Sequence, residues 1–149
     1  MATSGVVNGT KVRIYVDLSA FGGSTYVALG TSLDATYNIS HSPRETTNQD
    51  SGGWASFLEG KRSGTIDFNA LYAEDSAQNF EDWFAAVLSN TIRGGCGVKF
   101  GTSTTGDAIY TSSGYITSIS YASGGVEANA TFSGSIQLSG LPTKAVVLA

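Results

Sequence analysis

The chain has 149 residues, a mass of 15.4 kDa, a net charge of −4 and a pI near 4.7, enough for one domain. Apolar residues make up 41% and charged residues 13%, the latter about half the usual share, and twenty Ser, sixteen Thr and 19 Gly fill the difference, which favours strands and tight turns over helices. The acidic balance argues against a protein that grips nucleic-acid phosphates, a single Cys excludes an intrachain disulfide and cysteine-rich zinc sites, and no run approaches the roughly 18 apolar residues of a membrane-spanning helix.

Residues 1–10 are small and polar and read as a flexible arm, with no basic-then-apolar leader that would mark a secretory signal. In residues 11–18 (KVRIYVDL), Val12, Ile14, Val16 and Leu18 alternate with polar neighbours, the period of a strand with one buried face. The turn Phe21-Gly22-Gly23-Ser24 and a short strand over 25–29 complete a hairpin. Residues 33–40 alternate again, with Leu33, Ala35, Tyr37 and Ile39 on one side.

Over 41–61 the alternation stops. The stretch reads as a loop, and a loop this long in a small domain is usually functional or disordered. Trp54, Phe57 and Leu58 within it argue against disorder, because such residues are driven to bury themselves. Its length and these apolar residues predict an assembly arm, in which Arg44, Glu45, Asp50, Lys61 and Arg62 pair across subunits while Trp54 and Phe57 supply the apolar contact. The alternative is a loop folded over its own core.

Residues 62–71 read as a strand, and 77–88 as a helix capped by Asp75 or Ser76. Phe80, Trp83, Phe84, Val87 and Leu88 form its apolar stripe. Asn90 and Arg93-Gly94-Gly95 end it, and 98–101 make a short strand. Residues 107–121 form a long strand bent at Ser113-Gly114, and a turn over 122–125 leads to a final strand over 126–139. In that strand Val126, Ala128, Ala130, Phe132, Ile136 and Leu138 share one face. Glu127, Asn129, Thr131, Ser133, Ser135 and Gln137 share the other, which holds one acid and no base.

Catalytic patterns are weak. A Ser-His-Asp triad needs a positioned imidazole, and His41, beside a proline at the start of the loop, reads better as a solvated or interface histidine. Glu74-Asp75 and Glu81-Asp82 are adjacent pairs that diverge, and at a helix start they favour the dipole rather than glycoside hydrolysis. The run RGGCGVKFG at 93–101 lacks the ending of a phosphate loop, and Cys96 within it reads as a small apolar residue. Three sequons, at Asn8, Asn38 and Asn129, are expected by chance in a chain this rich in Ser and Thr. No cofactor, metal or enzymatic activity is expected, and function is sought in surfaces. The low-charge Ser/Thr surface suits a subunit covered by copies of itself.

The run TTNQDSGGWASFLEGKRSGTIDF at 46–68 resembles a segment of the major tail proteins, the tail tube proteins, of long-tailed bacteriophages and gene transfer agents. The helix with Phe80 and Trp83, the later GYITSI at 114–119 and a closing Ser139-Gly140 follow in the same order. The resemblance implies a mainly β fold: a β-sandwich with one flanking α-helix, its strands contributing to an inner β-barrel. Residues 1–149 are then one tail tube domain, with 1–10 and 141–149 as terminal arms and 41–61 as the assembly loop. Six copies form a ring, and rings stack into a tube through which double-stranded DNA passes. The implied partners are further copies, together with tape measure, tail-tip and tail-terminator proteins, in a virion tail assembled in the host cytoplasm.

Four strands from each of six copies, at about 4.8 Å spacing and about 40° tilt, close at a diameter of roughly 45–50 Å, leaving a bore of roughly 35–40 Å that admits a duplex. Such a wall must not hold phosphates, since each Lys or Arg contact adds affinity. The polar face from Glu127 to Gln137 meets that need. Competing readings are the tube of a secretion or contractile-injection machine and a carbohydrate-binding β-sandwich. The latter needs an aromatic platform, for which Tyr110, Tyr115 and Tyr121 are candidates, although alternation sets Tyr115 and Tyr121 beside Ile119 on a core face.

Overall fold

The computed structural model describes residues 4–19, 26–29, 32–73, 78, 80–89 and 93–148. Seven strands, β1 (Arg13–Asp17), β2 (Val27–Ala28), β3 (Ser32–Glu45), β4 (Phe57–Leu71), β5 (Gly95–Gly101), β6 (Ala108–Ala122) and β7 (Thr131–Val146), accompany one α-helix, α1 (Phe80–Leu88). All pairings are antiparallel, in the order β2-β1-β5-β6-β7-β4-β3. A short 3-10 turn, Gly9–Lys11, lies in the predicted N-terminal arm, started by Asn8 Oδ1 accepting from Thr10 N. The predicted turn at Phe21-Gly22-Gly23-Ser24, the helix caps Asp75 and Ser76, and Asn90 lie outside the described residues.

The long β6–β7 hairpin is shared by two parts of the sheet. Its first half on β6, Ile109 to Tyr115, pairs with β5. Its lower half on β7, Thr131 to Gln137, pairs with β4. Two register shifts, at Thr111/Ser113 and Ile116/Ser118, let the ladder turn between them. The first leaves Gly140, at φ 88°, and Pro142 on the longer side of the bulge, a place where a strand tolerates proline.

One face of the curled sheet encloses the core. Ile14 and Val16 of β1, Cys96 and Val98 of β5, Ile116 of β6, Phe132, Ile136 and Leu138 of β7, and Ile66, Phe68 and Ala70 of β4 are all buried there. Phe68 occupies the centre, 4.6 Å by ring centroid from Trp83 and 5.7 Å from Phe132. It lies over Gly134, its cross-strand partner, where a Cβ would stand 2.8 Å from the ring. The glycine therefore makes room for the aromatic.

Helix α1 closes the core with fully buried Trp83 and buried Ala86. The predicted stripe is narrower than expected, since Phe84 and Leu88 are exposed. A helix of 9 residues resting on the sheet presents only one line of contact, and these two residues sit on its shoulder. Phe80 at the near end stacks on Tyr121 with centroids 5.3 Å apart.

The long strand expected at 107–121 is β6. Three other expectations change. The segment 41–61 is not one loop: β3 runs on to Glu45 and β4 begins at Phe57, so only 46–56 is the connection. Both faces of this projecting ladder meet solvent, so no alternation marks it in the sequence. The stretch 126–139 is not all strand, because the ladder begins at Thr131 opposite Ala122 and Leu71. The segment 141–149 is no free arm through Val146, since Thr143 to Val146 pair with Thr111 to Ala108.

Candidate functional site

The face of the sheet turned away from the core is polar over four strands. On β3 it carries Asp34, Thr36 and Asn38, which stand opposite Asn69, Asp67 and Thr65 of β4. Those three in turn stand opposite Ser133, Ser135 and Gln137 of β7, with Thr131 opposite Leu71. Ser118 and Ser120 of β6 complete the rows opposite Ser135 and Ser133. None of these positions is a Lys or Arg, and Asp34 and Asp67 are the two acids. The cation-free stretch runs outward through Ser40 and Ser63, whose hydroxyls lie 2.8 Å apart. It ends at Lys61, opposite Ser42. Gln137 Nε2 donates to the Gly64 carbonyl at 3.0 Å, and Thr117 Oγ1 donates to the Ser135 carbonyl at 3.1 Å. These two side chains thus bind their own sheet.

Of the six residues expected on this face, Thr131, Ser133, Ser135 and Gln137 are there. Glu127 and Asn129 are not. They lie in the exposed connection before β7, where Ala128 N closes a turn on the Gly125 carbonyl at 3.0 Å. Their alternation with Ala128 and Ala130 is present in the sequence, but β4 ends at Leu71 and offers no strand to pair with them. The β3, β4 and β6 rows were the part that residue reading missed. Their signal was the polar half of the alternation in 33–40 and 62–71.

Tyr115 also moves. The bulge at Thr117 resets the alternation, so Tyr115 stands beside Gln137 on the polar face, while Tyr121 stays on the core side against Phe80 and Tyr72. Tyr110 lies 6.2 Å by ring centroid from Tyr37 instead, the rings tilted by 38°. The three tyrosines form no common platform of the kind a sugar would need.

Among the described residues, two margins of this four-strand face have no strand paired with them. β3 is the last strand of the sheet. On β6 the ladder with β5 stops at Tyr115, so among the described residues Ser118 to Ala122 pair only with β7.

Beyond the face the β3–β4 hairpin projects, paired out to Arg44↔Leu58 and Glu45↔Phe57. Its connection is organised. Thr46 N donates to the Ser56 carbonyl at 2.7 Å, Ser56 N to Thr47 Oγ1 at 2.9 Å and Asp50 N to Asn48 Oδ1 at 2.9 Å. Gly52 and Gly53 take positive φ, which a side chain would resist. Trp54 is nevertheless 82% exposed, and Phe57 and Leu58 more than half so. The segment is not folded over its own core. Of the charges expected to pair across subunits, Arg62 holds Glu59 of its own strand at 2.9 Å, while Arg44, Glu45, Asp50 and Lys61 are exposed on the hairpin.

The residues with catalytic potential are engaged structurally. His41 lies within β3, its Nε2 accepting from Gly60 N at 3.1 Å across the hairpin. Cys96 is buried, and burial, then the nearby Asp17 carboxylate, push its thiol up to about 12. It is inert as a nucleophile at neutral pH. Glu81 and Asp82 sit in the first turn of α1, where they favour the helix dipole. Among the described residues no group of three or more His, Cys, Asp or Glu could hold a metal ion, and no helix is long and apolar enough to cross a membrane.

Comparison with known proteins agrees with this geometry. A structure of the tail of an empty gene transfer agent particle, refined with C6 symmetry, superposes with a TM-score of 0.74 at 18% identity, covering 95% of this chain and 100% of that one. The SPP1 tail tube gives 0.72 at 14% identity, covering 97% and 81%. The tube-terminating cap of the anti-feeding prophage gives 0.65 at 15% identity, covering 98% and 95%. No curated protein matches. The family model of the phage tail tube protein matches residues 6–144, so the chain belongs to the phage tail tube protein family and is a structural component of a tail.

Proposed function

We propose that the four-strand polar face lines the bore of a tube built from stacked rings of this chain, and that double-stranded DNA slides along it. The observation that carries the reading is the conjunction of that face with its two open margins. A four-strand face whose central stretch carries no cation, bounded by edge strands β3 and the second half of β6, is complete only when β3 of one copy meets β6 of the next. Closure removes the edges that otherwise recruit stray strands. Six copies per ring follow the C6 symmetry of the gene transfer agent tail. A duplex in such a bore meets Ser, Thr, Asn and Gln with scattered Asp, and finds no ammonium or guanidinium to release its counterions. Thr131, Ser133, Ser135 and Gln137 remain the lumen residues on β7, joined by Asp34, Thr36 and Asn38 and by Thr65, Asp67 and Asn69; Glu127 and Asn129 belong to the rim. Stacking of rings is a heterologous contact that does not close, hence a filament. Tape measure, tail-tip and terminator proteins would meet the tube inside and at its ends.

Electron microscopy of concentrated protein tests the assembly, and the double variant Ser135→Lys with Thr65→Lys tests the face. Tubes are expected to form in both proteins, and DNA passage to slow in the variant, with a delay that shrinks as salt rises. Unchanged passage at low salt, or lysines found on the outer wall, would overturn the lumen assignment.

A further inference from the structure

Beside the polar face, on its other side, the sheet forks. β4 and β7 are paired from Thr65↔Gln137 inward, but outward of this point β7 pairs only with β6 and β4 only with β3. The gap between them is a cleft of about 590 Å³, within the roughly 300–1,000 Å³ of sites that enclose a drug-sized ligand. Tyr37, Ile39, Leu138, Leu141 and Pro142 line it, with Arg62 and Lys144 at its margin and no acid. Ile39 and Leu141 are 63% and 85% exposed. A fork with an apolar floor and two unpaired strand edges is an incomplete packing layer.

The same chain carries an apolar group with nowhere to go. Trp54, Phe57 and Leu58 stand on the hairpin end, held by the hydrogen bonds of the 46–56 connection. That end also carries exposed Glu45 and Asp50, opposite in sign to Lys144, with Arg44 beside Glu45, while Arg62 at the cleft is already paired with Glu59. It does not occupy the cleft of its own chain, since Trp54 stands exposed. Six residues separate Ile39 from Glu45, about 20 Å of paired hairpin with one register shift between Ser42 and Arg44.

We infer that the hairpin end of one copy seats Trp54 in the β4–β7 fork of another, joining them through an apolar anchor with an acid-to-base rim. This rests on the self-assembly reading above and supplies it with a specific socket. Rim pairs of this kind guide register more than they hold, so Trp54 carries the contact.

A photo-crosslinking residue placed at Trp54 in the full chain, with mass-spectrometric mapping after concentration, tests the contact. Crosslinks from position 54 to the peptide spanning 138–144 of a second copy are expected. Trp54→Ala and Leu141→Ala should each raise the concentration needed for assembly at least about tenfold. The double variant should lose little more than either single one, as for groups that touch. The fluorescence of Trp83, the remaining tryptophan in Trp54→Ala, reports whether that variant is folded. Tubes whose crosslinks map elsewhere, or additive effects of the two substitutions, would overturn the socket and leave the tube reading standing. A folded chain that stays monomeric and uncrosslinked at every concentration would remove both.

Discussion

The two tryptophans of this chain have opposite surroundings. Trp83, on α1, is fully buried against Phe68, which itself lies over Gly134. Trp54 stands 82% exposed at the end of a hairpin. The first belongs to a core that the single chain completes by itself. The second stands in solvent, although its connection is closed by hydrogen bonds from Thr46, Asp50 and Ser56. On the reading proposed above, Trp54 is held for a neighbouring copy, whereas Trp83 is held for the subunit itself.

The sharpest way to break this contrast is to truncate both. Trp83→Ala should cost about 3–5 kcal/mol of stability in urea unfolding, while Trp54→Ala should change it by less than about 0.5 kcal/mol. Equal losses would mean that the hairpin end packs on its own body. Gly134→Ala sharpens the core side of the comparison. Its methyl would meet the Phe68 ring at 2.8 Å and the Ser118 carbonyl at 3.1 Å, and Phe68 has no room to retreat between Trp83 and Phe132. A loss of about 1–3 kcal/mol is expected from such overpacking, against no comparable loss for alanine at Ser56 on the exposed connection.

Cys96 provides the smallest effect. Its thiol is held up at about 12 against an ordinary 9.0, so the unfolded chain loses the proton first. Stability is then fully present below about pH 9 and declines as pH rises toward 12. Alkylation at neutral pH should follow global unfolding. Labelling of the native chain faster than unfolding would place Cys96 outside the core.

The extent to which these features were legible follows from what each strand packs against. The β6 strand was readable to within one residue because Ile109, Ile116 and Ile119 are interspersed with Ser and Thr along a half-buried ladder. The outer β3–β4 hairpin was not, because residues 41–45 and 57–59 are exposed on both faces and leave no period to read. The polar face was legible on β7 but overextended to Glu127 and Asn129, since alternation records which way side chains point and not whether a partner strand is present. Tyr115 was misplaced by a single extra residue at Thr117, a bulge that inverts every face before it. The continuation of β7 past Gly140 was hidden by the bulge that contains Pro142.

The bare margins of β3 and β6 set how such a subunit waits. Until a neighbour arrives, main-chain amides along those rows are served by water and exchange freely with deuterium. Once a partner strand docks, the same amides fall silent together. Uptake along these two rows would therefore act as a clock for ring closure, with the amides of Ile66 and Phe68, already paired within one chain, as the unchanging reference beside it.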